Sequence, residues 1–223
     1  MNIPFKFNIN NDRDNDFEII KEGVKTGIFI LKNVISEHDR KSLIDVIDKY
    51  SGGKEEIETF NNVHKSTCLT VDIEDSTTRE KIENKLDSVL SDVRKRASKY
   101  TPCEPELYEC VEMRKIHGPT RFHIDGVTSD VPTDTEAKYA PQNLRCLSVI
   151  IAINGDYKGG EFIFPHQNVQ IKLKAGEAII FPPYWTHPHG TNDVHDTFRY
   201  TITSWFTGSN VNLTPHLPSH LPS

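Results

Sequence analysis

The spacing of apolar residues changes character near residue 107. Before that point two stretches repeat with a helical period. Leu43, Ile44, Ile47 and Tyr50 share one helical face. Ser36 stands just ahead of them and can accept from the free N–H groups of a first turn, where Glu37 and Asp39 also suit the positive helix end. Ser51-Gly52-Gly53 ends this helix. A second helix is predicted over about 77–99, with Ile82, Leu86, Val89, Leu90 and Val93 as its apolar stripe and its many charges on a solvated face. Ahead of both, Gly27-Ile28-Phe29-Ile30-Leu31 is a short apolar run that predicts a buried strand. Thr101-Pro102-Cys103-Glu104-Pro105 then breaks the chain.

From Leu107 onward the pattern is that of strands. Tyr108 to Ile116 leads through Gly118-Pro119-Thr120 into Arg121-Phe122-His123-Ile124-Asp125-Gly126. Residues 127–143 are polar, carry Pro132 and Pro141, and have no period, which predicts a long loop of the kind that forms lids or binding loops. Leu147 to Ile153, Gly159 to Pro165, Val169 to Leu173, Ala178 to Phe181 and Arg199 to Phe206 follow as short strands punctuated by Gly and Pro. This predicts a mainly β jelly-roll of eight or so strands with two helices packed outside. No composition shift marks a second domain. We divide the chain into an N-terminal strand and helices packed on the core (1–105), the core (106–207) and a Pro-rich tail (208–223) that is extended or disordered. Residues 1–16 are polar and expected to be loose.

Composition narrows the function classes. Hydrophobic residues make up 36% and charged residues 26% of the 223, a soluble globular balance. The net charge of −6 argues against nucleic acid as a partner, because phosphate contacts need a basic surface. No run approaches the ~18 apolar residues of a membrane span. Met1 to Phe7 lacks the apolar centre of a signal peptide, so a cytoplasmic location is expected. Cys68, Cys103, Cys110 and Cys146 form no Cys-x-x-Cys and fit neither a zinc ribbon nor a disulfide framework. Free, buried or half-buried thiols are expected; a Cys103–Cys110 bridge is open but not required.

The candidate chemistry begins with His123-x-Asp125. On a strand, residues two apart share a face, so the imidazole and the carboxylate would project together with Ile124 turned into the packing behind them. Such a pair is two thirds of the two-His-one-carboxylate face that binds non-haem Fe(II) and leaves positions open. A third ligand must come from a distant strand. Among ten histidines, His38, His64, His117, His166, His195, His216 and His220 fall on an exposed helix face, in polar segments or in turns. Tyr184-Trp185-Thr186-His187-Pro188-His189-Gly190 offers two more. As a strand it would point His187 and His189 the same way, roughly 7 Å apart, so parity does not choose between them. Arg199 opens a strand on which Thr201, Thr203 and Trp205 share its face. An arginine on an inward face needs an anion, and its planar fork suits a carboxylate.

Together these residues resemble the Fe(II)/2-oxoglutarate dioxygenases, in particular the prolyl 4-hydroxylase-like branch. That group shows His-x-Asp, a distal His, and a Lys or Arg about ten residues on; here Arg199 stands ten positions after His189. The resemblance spans residues 106–207. Gly159-Gly160-Glu161-Phe162-Ile163-Phe164-Pro165 is similar to the family's Gly-Gly-x-x-x-Phe-Pro strand, and Ala175 to Phe181 is similar to its Gly-x-(hydrophobic)3-Phe strand. Gly27 to Tyr50 is similar to its entry strand and helix.

The resemblance implies a double-stranded β-helix with Fe(II) on His123, Asp125 and His189. The family's Pro-His-x-Gly pattern selects His189 and puts His187 where an aromatic often stands. Arg199 would bind the far carboxylate of 2-oxoglutarate. Many members have a tyrosine where this chain runs Ala152-Ile153-Asn154, which leaves Ser148 as a candidate for the second cosubstrate contact. The implied reaction hydroxylates an unactivated C–H with O2 and 2-oxoglutarate as cosubstrates, succinate and CO2 as coproducts, and ascorbate as reductant. Related halogenases carry a small residue at the carboxylate position, so Asp125 implies hydroxylation. A prolyl residue in a peptide or protein is the favoured substrate, with loop 127–143 placed where relatives close over it. The alternatives are a free amino acid or small metabolite, a non-catalytic cupin-like metal-binding protein, and a purely structural β-sandwich.

Overall fold

The computed structural model describes residues 17–19, 26–51, 55–60, 64–70, 73–101, 103, 105, 107–126 and 144–208. The predicted loop at 127–143, the N-terminal 1–16 and most of the tail lie outside these. In chain order the elements are β1 (Phe17–Ile19), β2 (Phe29–Leu31), α1 (Glu37–Tyr50), β3 (Glu55–Phe60), β4 (His64–Thr70), α2 (Ser76–Ala97), β5 (Leu107–His117) and β6 (Thr120–His123). They continue with β7 (Leu144–Ala152), β8 (Lys158–Gly159), β9 (Phe162–Phe164), β10 (Val169–Ile171), β11 (Ala178–Phe181), β12 (His189–Thr191), β13 (Val194–His195) and β14 (Arg199–Gly208).

Eight strands form a major sheet in the order β1-β2-β11-β7-β14-β5-β4-β3, four form a minor sheet in the order β10-β9-β12-β6, and β13 and β8 pair by themselves. The central strands of the major sheet are apolar on both faces, which explains their unbroken hydrophobic runs. Phe29, Leu31, Val149, Ile151, Ala178 and Ile180 pack toward the helices. Their alternating neighbours Ile28, Ile30, Ile150, Ala152, Ile179 and Phe181 pack with Phe162 and Phe164 of the minor sheet. Two facing antiparallel sheets with helices against one of them make the double-stranded β-helix that the resemblance implied.

Helix α1 is capped as predicted, with Ser36 Oγ accepting from the Asp39 N–H at 3.1 Å. Helix α2 begins one residue earlier than expected because Asp75 caps it, accepting from the Thr78 N–H at 2.9 Å. Its buried stripe is Ile82, Leu86, Leu90, Val93 and Ala97. Leu90 is fully enclosed, so Leu90→Ala removes packing that nothing nearby can refill. Urea unfolding is expected to show a loss of about 2–5 kcal/mol with the site geometry intact.

Two fold expectations need correction. The described residues hold fourteen strands rather than eight or so. Hairpin β3–β4 extends the major sheet as Glu55↔Leu69 to Phe60↔His64, but Glu55, Glu56, Glu58 and Lys65 break any alternation in the sequence. His117 and His195, expected in turns, close β5 and β13 instead. Cys103 is a free, half-buried thiol, as expected, and the Cys103–Cys110 bridge left open does not form. It interacts with Cys146, and that contact lowers the Cys103 thiol to about 7.

Candidate metal centre

Strand β6 ends at His123, and β12 begins at its antiparallel partner His189. The two imidazoles therefore stand across from each other, with ring centroids 4.4 Å apart. Gly190 makes this approach possible: a Cβ there would meet the Thr120 carbonyl oxygen at 2.9 Å. Asp125 does not share the strand with His123, as the sequence pattern suggested. It sits in the turn after it, where Gly126 adopts φ +39 and donates its N–H to the Pro183 carbonyl at 2.8 Å. Ile124 is consequently not packed behind the pair but is 48% exposed. The turn still delivers the carboxylate to the imidazoles. Asp125 Oδ1 lies 3.3 Å from His123 Nε2, and Oδ2 lies 3.8 Å from His189 Nε2. The ligand atoms of the three residues all fall within 4.8 Å of one another.

The remaining contacts of these side chains leave the right atoms for a cation. A carbonyl oxygen only accepts, so a ring nitrogen bonded to one must carry the proton. His123 Nδ1 donates to the Arg121 carbonyl at 2.9 Å, and His189 Nδ1 donates to the His187 carbonyl at 3.1 Å. In both neutral rings Nε2 is then the free lone pair, aimed at Asp125. Phe164 stacks on His189 at 5.6 Å and Phe181 meets its ring at 4.6 Å, fixing its orientation.

His187 is excluded as a ligand. Its Nε2 donates to the Thr26 carbonyl at 2.7 Å, which leaves Nδ1 to accept from Thr186 Oγ1 at 2.9 Å. Both nitrogens are occupied away from the cluster. Residues 182–188 are a loop rather than a strand, so the parity question posed by the sequence does not arise. Gly27, at φ +68, is required beside this imidazole; a Cβ there would lie 3.1 Å from His187 Nε2.

Ser148, the candidate cosubstrate contact, has a different place. Its buried hydroxyl donates to Asp125 Oδ2, so it orients the carboxylate. Arg145 Nη1 adds a bond to the Asp125 carbonyl at 2.8 Å. Ser148→Ala is expected to weaken divalent-metal affinity about 10–100-fold in equilibrium titration.

Charge reinforces the arrangement. Without a metal, burial works against the Asp125 carboxylate, but hydrogen bonds from the protonated His123 ring and from Ser148 and the charge of a protonated His189 outweigh it and bring it to about 2. Burial also disfavours His123 as a cation, yet its bonds to Asp125 and the Arg121 carbonyl leave it raised. His189 is lowered, first by burial. A metal must displace any proton on these rings. Affinity should therefore fall with pH, and should begin to fall above the ordinary imidazole value, because His123 takes its proton first. Calorimetric titration with Mn(II) on the alkaline and acidic sides of neutrality checks the sign.

The three residues open onto a cavity of about 300 Å³ whose lining includes Arg199, Thr201, Thr203 and Trp205. These are the four that alternation placed on one face of β14. Arg199 is buried and donates to the Gly160 carbonyl at 3.2 Å and to Thr120 Oγ1 at 3.4 Å. Thr201 Oγ1 is buried with no hydrogen-bond partner among the described residues. An unpaired buried hydroxyl beside a guanidinium in a cavity wall fits an anionic ligand oxygen. Sequence reasoning had put Thr201 on the correct face but had not given it this role.

Comparison with known proteins agrees with this geometry. The model of the 2OG-Fe(II) oxygenase superfamily matches residues 112–207. Over those residues the chain is similar to this superfamily. The matched span contains His123, Asp125, His189 and Arg199. Human prolyl 3-hydroxylase 2 is 32% identical over 92 residues, which is 39% of this chain and 13% of the human protein. Chicken prolyl 3-hydroxylase 2 is 30% identical over a stretch of the same length. The chain thus spans about an eighth of these relatives, 13% of their length. Among solved structures, a viral collagen prolyl hydroxylase from Paramecium Bursaria Chlorella virus-1 shares the fold at TM-score 0.54 and 19% identity, over 82% of this chain and 97% of that one. A prolyl-4-hydroxylase from Pseudomonas putida does so at TM-score 0.54 and 13% identity, over 86% and 98%. A Trichoplax adhaerens prolyl hydroxylase, solved with a hypoxia inducible factor peptide fragment, gives TM-score 0.55 at 15% identity over 85% and 87%.

Proposed function

We propose that this chain is an Fe(II)- and 2-oxoglutarate-dependent oxygenase that hydroxylates a prolyl residue of a peptide or protein. The observation that carries the reading is the convergence of two histidines and one carboxylate at the wall of a cavity that also contains Arg199. His123 and His189 would hold iron through Nε2, and Asp125 through its carboxylate. The backbone carbonyls of Arg121 and His187 keep the two rings in the ligating tautomer, and Ser148 keeps the carboxylate turned toward them. Arg199 would hold the far carboxylate of 2-oxoglutarate, with Thr201 Oγ1 donating beside it. When bound, iron with O2 and 2-oxoglutarate supplies the oxidising power, 2-oxoglutarate leaving as succinate and CO2 and one oxygen atom entering the substrate C–H bond.

Support for the prolyl residue comes from the relatives and fold neighbours, whose names are those of prolyl hydroxylases. The test is succinate formation with Fe(II), ascorbate and air against a panel of proline-containing peptides. Stimulation by one of them, with hydroxyproline in that peptide, supports the reading. Stimulation by free amino acids alone transfers the chemistry to a small substrate.

A further inference from the structure

Two thiols that take no part in the proposed chemistry lie behind the metal centre. Cys103 follows α2, and Cys146 is in β7. Both are free and half-buried, and both pack against the helix-side core. They are hydrogen-bonded to each other. Thr101 Oγ1 lies 3.6 Å from Cys103 Sγ and donates to the Ala97 carbonyl at 3.0 Å, which ties Cys103 to the end of α2.

Cys146 stands where β7 leaves its regular register. Leu147 pairs with Phe206 and Arg145 with Thr207, so Cys146 is the extra residue of a bulge. Such a residue is left unpaired, and the strand bends there. The bulge lets Cys146 pack with Leu147 on the helix side while Arg145 lines the cavity. Arg145 Nη1 bonds the Asp125 carbonyl, and the Arg145 carbonyl accepts from the Tyr184 hydroxyl at 2.6 Å. Ser148, two residues beyond Cys146, donates to Asp125 Oδ2. One short piece of chain therefore carries a thiol on one side and the supports of a metal-site carboxylate on the other.

We propose that Cys103 and Cys146 form a reversible disulfide, and that closing it loosens the hold on Asp125 and weakens metal binding. The effect on metal rests on the metal-centre reading above; the disulfide does not. The two thiols are unequal. The bond from Cys146 brings the Cys103 thiol down to about 7, while that bond and burial push Cys146 up. Cys103 is therefore the nucleophile near neutrality, and the oxidant is a peroxide. The Cys103 thiolate attacks one peroxide oxygen, the O–O bond breaks, and Cys103 becomes a sulfenic acid as hydroxide leaves. The Cys146 sulfur then attacks the Cys103 sulfur. The S–S bond forms, the S–O bond breaks, and the departing hydroxide takes the Cys146 proton as water. Counting the proton first lost from Cys103, two thiols and one hydrogen peroxide give one disulfide and two waters. A covalent S–S bond is shorter than the hydrogen bond it replaces, so closure draws the bulge toward the end of α2 and away from the Asp125 turn.

The test uses the full metal-free chain, so that peroxide meets no iron. The chain is treated with hydrogen peroxide, freed of the excess, and digested without reduction for mass spectrometry. The same material is titrated with Mn(II) by calorimetry before and after dithiothreitol. A Cys103–Cys146 cross-link is expected, with Mn(II) affinity about tenfold lower and restored by the reductant. Cys103→Ser should form no cross-link to Cys146 and should keep its Mn(II) affinity through the same treatment. Oxidation to sulfinic acid without a cross-link, or a link from Cys103 to Cys68 or Cys110 instead, would overturn the disulfide. A Cys103–Cys146 link that leaves Mn(II) affinity unchanged would overturn its effect on the metal. Should Cys103→Ser fail to fold, reversal by dithiothreitol in the unsubstituted chain decides alone. A reduced chain that binds no Mn(II) removes the metal-centre reading and the effect with it, while the cross-link still decides the disulfide.

Discussion

Asp125→Ala should abolish turnover. The carboxylate is the single anionic group of the cluster, and its loss leaves two neutral imidazoles with no charge to offset a dication. It also leaves the buried Ser148 hydroxyl without its acceptor. Removing a partner that merely orients a ligand costs about 10–100-fold, so losing the ligand itself should cost at least about a hundredfold in succinate formation. Bound iron should fall in parallel. The comparison that sharpens this is His187→Ala against His189→Ala. His187 is bonded on both nitrogens to Thr26 and Thr186, so its loss should lower stability and spare iron content. His189→Ala should lose the iron. Equal iron retention in the Asp125 and His189 variants would place the metal elsewhere.

Arg199→Ala should raise the KM for 2-oxoglutarate. The guanidinium is buried, and truncating one partner of a buried charged pair costs about 2–5 kcal/mol. At about 1.4 kcal/mol per decade, that is about thirtyfold to a few thousandfold. Arg199→Lys keeps the charge but loses the fork, and should fall between the two. Thr201→Val keeps the shape and removes only the hydroxyl, so a smaller rise in the same constant is expected. Iron affinity measured without 2-oxoglutarate should not follow these changes, because neither side chain belongs to the three-residue metal cluster.

The sequence carried more of the site than its local patterns did. The cluster of His123, Asp125 and His189 was legible because their types and order already imply a chemistry. The strand geometry invoked for His123 and Asp125 was not the one used: β6 stops at His123, and the Gly126 turn brings Asp125 round. Alternation cannot register such a turn, and it misplaced Ile124 for the same reason. Strand parity left His187 and His189 open and the resemblance selected His189; the structure adds the reason, a bond from His187 to Thr26, 161 residues away in the chain. Ser148 was noticed as a hydroxyl near the site, but its bond to Asp125 was not, because only the fold brings β7 behind the Asp125 turn. The two helices and the buried strands were read closely, since full burial on both faces leaves an uninterrupted apolar run. Hairpin β3–β4 was missed because its charged residues leave no period to detect.

The most direct measurement is turnover of the iron-loaded chain under labelled dioxygen, with succinate and peptide mass followed together. The account predicts succinate that depends on 2-oxoglutarate, is lost in Asp125→Ala, and is matched by one labelled oxygen atom on a prolyl residue of a peptide. Iron bound at His123, Asp125 and His189 with no succinate under any condition would contradict it and leave a metal-binding protein without this chemistry.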